Sequence, residues 1–232
     1  MTLIKSDISG NRLFPIFLKM DQIETLIVGG GAVGLEKITG ILKNDPLANI
    51  KLVAPEIRDE IRVLAQQFPN VLLIERNFEV QDLDGIDLAV LATANRETNF
   101  EIRKQTKARG IITNVADTPD LCDFYLGSTV KKGNLKLGIS TNGKSPTVSK
   151  RLRQLFEEVL PEEMDELLNN LKAVRDSLQG DFEYKVNRLN EITAEFLNYK
   201  NPPLKGVDDP DKYRDDRSNR VDVYVPTKIT IQ

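Results

Sequence analysis

The sequence predicts an α/β fold, a doubly wound parallel sheet covered by helices on both faces, followed by a small β-hairpin region and a helical C-terminal domain. Three observations predict it. Short runs of unbroken apolar residues recur between Glu24 and Asn114, without the polar alternation of a sheet that faces water on one side. Helical segments separate these runs, which is the spacing of parallel crossover units. A glycine turn, Gly29-Gly30-Gly31-Ala32-Val33-Gly34, joins the first strand to the first helix.

Thr25–Val28 is the first strand, and the helix after the glycine turn runs to about Lys43. Ile50–Val53 is the second strand; the next helix is expected to begin near Pro55 and to carry Ile57, Ile61 and Leu64. Val71–Ile74 and Leu88–Val90 with Leu91 follow as strands, then a helix over Glu97–Ala108 and a fifth strand over Ile111–Asn114. After Asp117 the rhythm changes. Phe124–Val130 and Leu135–Ser140 are expected as a hairpin outside the main sheet, joined by a turn at Lys131-Lys132-Gly133-Asn134. Ser145 caps a helix that opens with Pro146, since proline is tolerated in a first turn. Pro161 is expected to begin the next helix, with Met164, Leu167, Leu168, Leu171, Val174 and Leu178 on one stripe. Phe182, Val186, Leu189, Ile192 and Phe196 form another. Such stripes must pack on each other, on the rest of the domain, or on a second subunit. From Asn201 the composition turns to Pro, Asp, Lys and Arg, an extended segment ending in an alternating run over Val221–Gln232.

Gly29, Gly31 and Gly34 are spaced as G-x-G-x-x-G. After a strand and at the start of a helix, this spacing marks a Rossmann-like dinucleotide site rather than a bare turn. The first glycine permits the turn, the second lets backbone approach a diphosphate, and the third lets helix and strand pack closely. The helix N-terminus then faces the anion with its free N–H groups. Glu56 follows the second strand, 22 residues after Gly34, where a carboxylate accepts ribose hydroxyls. As an alternative, Glu56 is a first-turn helix residue favoured by the helix dipole. No basic cluster beside it is suited to a 2′-phosphate, although Arg58 is close, so NAD is expected rather than NADP.

Composition narrows the chemistry. The chain has no histidine, no tryptophan and one cysteine. A Ser-His-Asp triad, a histidine base, and a histidine- or cysteine-rich metal site are thereby excluded, so no metal is expected. The single Cys122 makes no internal disulfide, which fits a reducing, cytoplasmic setting. Lys5, Asp7, Asn11 and Arg12 interrupt any secretory pattern, and no apolar run reaches membrane-spanning length. Between Phe124 and Phe156 there is no acidic residue, while Lys131, Lys132, Lys136, Lys144, Lys150, Arg151 and Arg153 are basic. In a chain of net charge −3, this stretch suits a polyanionic ligand, or else is a solvated face. Nucleic acid is not expected, because no recognition motif accompanies the charge. Asp117 ends the fifth strand, where ligands of open α/β sheets lie. Burial beside an anionic substrate would raise the pKa of a carboxylate there and make it a usable base. An aspartate at a strand end also serves as a loop cap.

Leu13-Phe14-Pro15-Ile16-Phe17-Leu18, Leu26–Gly34, Leu91-Ala92-Thr93-Ala94-Asn95, Asn114-Val115-Ala116-Asp117 and Ile139–Pro146, taken together, resemble the N-terminal module of sirohaem synthase. This is the precorrin-2 dehydrogenase/sirohydrochlorin ferrochelatase family, and the resemblance covers about residues 12–160. It implies a homodimer that transfers a hydride from precorrin-2, a tetrapyrrole with eight carboxylates, to NAD. With the composition change at Asn201, it divides the chain into a dinucleotide-binding domain over 1–116, a dimerisation region over 117–150, a helical domain over 151–200 and, outside the resemblance, an extended tail over 201–232. The family's catalytic aspartate falls on Asp117. Its dinucleotide contacts fall on Ala32, Val33, Glu56 and Ile57, with Thr93 nearby. Ser140-Thr141-Asn142-Gly143 stands where some members have Ser-Ser-Gly-Gly. With the basic stretch, this makes Ser140, Thr141, Lys144, Lys150 and Arg151 the expected substrate contacts. Some members also insert Fe²⁺ into sirohydrochlorin, a second activity linked to the same aspartate. A non-catalytic NAD-binding regulatory domain is the alternative; it would need the glycine turn but not Asp117.

Overall fold

The computed structural model describes residues 10–194. The expected stripe residue Phe196, the tail from Asn201 and the run Val221–Gln232 lie outside the described residues, as do Lys5 and Asp7. Five parallel strands form the main sheet in the order β3-β2-β1-β4-β5. They are β1 (Glu24–Gly30), β2 (Asn49–Ile57), β3 (Val71–Glu75), β4 (Leu88–Leu91) and β5 (Ile112–Val115). Helices α1 (Ala32–Asn44), α2 (Asp59–Gln67) and α3 (Arg96–Ala108) connect them. This is the Rossmann-like doubly wound sheet that the apolar runs predict.

The runs are mostly apolar because both faces are covered. Ile27, Leu52 and Val90 pack with Ile38, Ile41 and Leu42 of α1 and Ile61 of α2. Leu26, Val28, Val53, Ala89 and Leu91 point the other way, onto Ile102 of α3 with Leu83 and Ile111. Alternate residues of one strand thus feed two cores, and the polar residues the strands carry, such as Thr25, Thr113 and Asn114, are themselves buried.

Three boundaries differ from the expectation. Pro55, Glu56 and Ile57 do not start a helix; they extend β2, and α2 begins at Asp59. Val28 pairs with Val53 but Gly30 pairs with Ile57, so four residues of β2 answer two of β1. Proline has no N–H for a regular ladder and is accommodated in such a bulge. Phe124–Gly127 is not strand: Phe124 turns into the core beneath α1 and α2, and Asn114 Nδ2 donates to its carbonyl at 2.9 Å. The hairpin therefore starts later, with β6 (Ser128–Lys132) and β7 (Leu135–Ile139) joined by a two-residue Gly133-Asn134 turn. Gly133 has φ 56°, the left-handed backbone such turns demand. Finally, Pro161 lies outside the next helix: Glu162 pairs with Lys132, and α5 (Met164–Ser177) begins after Glu163, which holds the N-cap position without a side-chain cap bond.

The described residues divide into two compact units. One holds the residues up to 128 with 140–149; the other holds 129–139 and those from 150 onward. Helix α4 (Pro146–Val159) opens with Ser145, whose Oγ accepts from Val148 N–H at 3.2 Å, as a cap should. In the second unit, Asp165 of α5 accepts from Asn134 N–H at 2.8 Å, fastening the hairpin turn to the helix. Leu167 is buried, but on α6 (Phe182–Thr193) Phe182 is 83% exposed and Val186 is also exposed. Among the described residues no helix is long and apolar enough to cross a membrane.

A buried carboxylate outside the site carries a stability prediction. Asp82 is 4% exposed and accepts both Arg76 Nη atoms, at 2.8 and 2.7 Å, and Glu79 N–H at 2.9 Å. The Arg76 guanidinium, more than the backbone N–H, holds this carboxyl below its usual pKa. A depressed folded pKa means stability that is present above the unfolded value of about 3.9 and lost as pH falls through the folded one. Asp82→Ala should lower stability at pH 7 by about 1–3 kcal/mol. Urea titrations at falling pH should show wild type and variant converging below about pH 4.

Candidate functional site

The strand order reverses between β1 and β4, and ligands of open α/β sheets sit beyond the carboxyl ends of the strands there. Gly29 leaves β1 with φ 123°. A Cβ on it would stand 2.4 Å from the carbonyl oxygen of Ala92, so the exits of β1 and β4 touch backbone to backbone. A Cβ on Gly34 would meet Gly29 O at 2.0 Å, and one on Gly30 would meet Glu56 O at 2.3 Å. These three glycines are required by the protein's own packing. Gly31 is different: a Cβ there meets nothing within 4 Å, and its backbone (φ −82°, ψ −162°) suits any residue.

Open space at Gly31 is a cradle that a side chain would fill, and it fits a diphosphate lying against backbone. Helix α1 adds to the fit. No side chain caps its N-terminus and no acid lies in its first turn, so the N–H groups around Ala32 and Val33 are offered outward. The neighbouring α3 is self-satisfied by contrast: Asn95 Oδ1 accepts from Glu97 and Thr98 N–H at 2.9 and 3.0 Å. Glu56 is exposed in the β2 bulge beside Gly30, while Ile57 is buried and contributes backbone only. Thr93, at the exit of β4, has its hydroxyl 2.7 Å from Asn99 Oδ1 and its carbonyl bonded by Asn99 Nδ2 at 3.0 Å. The predicted cofactor residues are therefore gathered at one edge, with Thr93 held in place by buried Asn99.

Asp117 follows β5 with φ 56°, in the left-handed region. Aspartate and asparagine enter this region more readily than other side-chain-bearing residues, and the surroundings of Asp117 fix it there. Those surroundings are a braced loop. Ala116 N–H donates to Leu91 O at 2.9 Å. The Cys122 thiol accepts from Val115 N–H and donates to Val115 O, both at 3.2 Å. Arg103 Nε donates to Leu121 O at 2.8 Å, and its Nη2 to Asp123 Oδ1 at 2.6 Å. Asp123 Oδ2 in turn accepts from Thr113 N–H at 2.9 Å. Burial pushes the Cys122 thiol up, so it stays protonated and serves as a hydrogen-bonding strut. Asp117 is exposed on the wall of an open cleft of about 400 Å³ shared with Arg96, Glu97, Phe100, Thr118 and Leu121. The Lys104 ammonium stands 4.5 Å from the centre of the Phe100 ring.

The expected substrate contacts are arranged differently. Ser140 Oγ accepts from Asn142 N–H at 3.2 Å and from Asn11 Nδ2 at 3.5 Å. Thr141 Oγ1 accepts from Ser145 N–H at 3.2 Å and lies 3.2 Å from Ser149 Oγ. Thr141 is thus bonded within its own turn, whereas Ser140 Oγ accepts from the turn and from Asn11. Lys144 is exposed in that turn; Lys150 and Arg151 are exposed on α4 in the second unit. Lys132 and Arg153 are paired with Glu162 and Glu157.

Two family models match. One, described as "Putative NAD(P)-binding", covers residues 16–128; the other, "Sirohaem biosynthesis protein central", covers residues 132–158. Siroheme synthase of Nitrosomonas europaea is 31% identical over 174 residues, and that of Nitrosomonas eutropha 33% over 175. Each alignment takes in 75% of this chain but 36% of the relative, so the chain spans about a third of the length of these proteins. Among solved structures, "SirC, precorrin-2 dehydrogenase" has the same fold, with a TM-score of 0.65, 22% identity, and coverage of 81% of this chain and 93% of that one.

Proposed function

The chain belongs to the sirohaem biosynthesis family, whose NAD(P)-binding domain and central segment it carries in order, and on that premise we propose that it is an NAD-dependent dehydrogenase converting precorrin-2 to sirohydrochlorin. The observation that carries this reading is Asp117: a carboxylate in left-handed backbone, on a braced loop, lining a cleft at the same sheet edge as the glycine turn. A nucleotide-sensing domain has no use for a carboxylate placed there.

NAD, when bound, supplies the acceptor for a hydride. The chain's own part is to hold it and to take the proton. Gly31 and the first N–H groups of α1 receive the diphosphate, and Glu56 the adenosine ribose hydroxyls. Arg58 donates to Glu60 at 2.7 and 3.2 Å, so it is engaged within the chain rather than offered to a 2′-phosphate. This supports NAD over NADP. Oxidation of precorrin-2 removes two electrons and two hydrogens, one leaving as hydride and the other as a proton. Asp117 accepts that proton and passes it to solvent.

The protein acts in this reading as a cytoplasmic homodimer, with residues 117–150 as the dimerisation region. The exposed Phe182 and Val186 on α6 support a further surface in need of a partner. Anaerobic mixing of protein, precorrin-2 and NAD tests the activity. NADH and sirohydrochlorin should appear in equal amounts, and NADP should serve at least about tenfold less well, the consequence of roughly 1.4 kcal/mol. NAD binding with neither product would replace the enzyme by a regulatory NAD-binding domain. Fe²⁺ added to the completed reaction reads iron insertion directly, as the sirohaem spectrum.

A further inference from the structure

Building on the reading just given, we propose that Arg12 and the turn at Asn142 form a subsite that anchors a carboxylate of the substrate. Arg12, Leu13 and Asn142 line an open cleft of about 450 Å³ within the first unit. Its walls come from chain segments far apart in sequence, brought together where Asn11 Nδ2 donates to Ser140 Oγ.

Charge specifies the occupant. No acidic residue occurs in residues 10–20 or in residues 124–156, the two segments that supply the walls. Arg12 is exposed and has no acidic partner among the described residues. A guanidinium offers a planar fork of donors matched to a carboxylate. The turn beside it is hydrogen-bonded within itself: Asn142 has φ 54° and Gly143 φ 73°, Ser140 Oγ accepts from Asn142 N–H and Thr141 Oγ1 from Ser145 N–H. The Asn142 backbone N–H is thus engaged, and Asn142 itself lines the cleft with Arg12. A precorrin presents several carboxylates at its rim, so one anchored here would orient the macrocycle. A dinucleotide phosphate is the other anion of suitable chemistry, and the kinetics separate the two.

The test is steady-state kinetics on the full chain with Arg12→Ala, Arg12→Lys and Arg12→Glu. Arg12→Ala should raise KM for precorrin-2 by about 10- to 50-fold, the usual loss of a charge-assisted contact. The KM for NAD, kcat and the melting temperature should stay at wild-type values. Arg12→Lys should recover part of the loss and Arg12→Glu deepen it, and the wild-type KM should rise more steeply with salt than that of Arg12→Ala. An unchanged precorrin-2 KM overturns the proposal, and so does a rise in the NAD KM instead. Calorimetry with uroporphyrin, an octacarboxylate porphyrin, gives a readout independent of turnover. A wild-type protein that binds it but does not oxidise precorrin-2 defeats the dehydrogenase reading while leaving Arg12 to be judged by the Kd of its variants. No uroporphyrin binding, or an identical Kd in Arg12→Ala, defeats the subsite.

Discussion

Asp117→Asn should reduce turnover of precorrin-2 by about 10²- to 10⁴-fold, the range a positioned acid/base group supplies, and should leave NAD binding and thermal stability unchanged. Asparagine is the informative replacement because of the backbone. Asp117 has φ 56°, and asparagine enters that region nearly as readily as aspartate, whereas alanine adds roughly 1–2 kcal/mol of strain. Asp117→Ala would confound a lost base with a displaced loop. Asp117→Asn keeps side-chain volume and local hydrogen bonding but cannot take up the proton. The brace that holds the loop, Arg103 with Leu121 and Asp123 and the Cys122 thiol with Val115, does not involve the Asp117 side chain, so it survives the exchange. A melting temperature equal to wild type, NAD titrating normally and turnover collapsed would assign Asp117 to the chemistry. Turnover within a factor of a few of wild type would make it the loop residue that its position alone allows.

How much of this was legible beforehand follows from the range over which each feature is encoded. The sheet was legible because β1, β2 and β4 feed both cores at once, and a run of apolar residues with no polar alternation has few other uses. The glycine turn was legible because its demands are local. The bulge at Pro55–Ile57 was not: it arises from a mismatch between two strands, and no periodicity within one strand reports it. Proline was the available signal, taken for a helix start when it marks a break in a ladder. For the same reason the need for a glycine at position 30, outside the G-x-G-x-x-G spacing, appears only where Glu56 O approaches it. Ser140 and Thr141 also bond within and beside their turn, as hydroxyls next to a turn commonly do. Arg12 escaped notice because its cleft is completed by a residue 130 positions away; the absence of acids on both walls was the signal, half of it already visible in the stretch from Phe124 to Phe156.

Gly31→Ala and Gly34→Ala should fail in opposite ways, although they lie three residues apart in one motif. At Gly34 the added methyl would stand 2.0 Å from Gly29 O, a backbone atom at the crossing of β1 and α1. Backbone of the central strand cannot yield without disturbing the Gly29–Ala92 contact beside it. The variant should therefore lose about 3 kcal/mol or more of stability, at the upper end for overpacking a core, and melt early with or without NAD. At Gly31 the methyl meets no atom within 4 Å, and the backbone already lies where alanine is comfortable. The unliganded variant should melt at or slightly above wild type, since removing a glycine from the unfolded ensemble contributes about 0.4–1 kcal/mol. The same methyl occupies the space that the diphosphate needs against the α1 N-terminus. NAD affinity should fall by about 100-fold, the equivalent of roughly 2.7 kcal/mol. Melting curves with and without NAD separate the outcomes in one experiment: the ligand-induced shift vanishes in Gly31→Ala from an intact baseline, whereas Gly34→Ala has lost the baseline itself. A normal NAD shift in Gly31→Ala would mean that the diphosphate approaches by another path, and the assignment of the α1 N-terminus as its seat would fall with it.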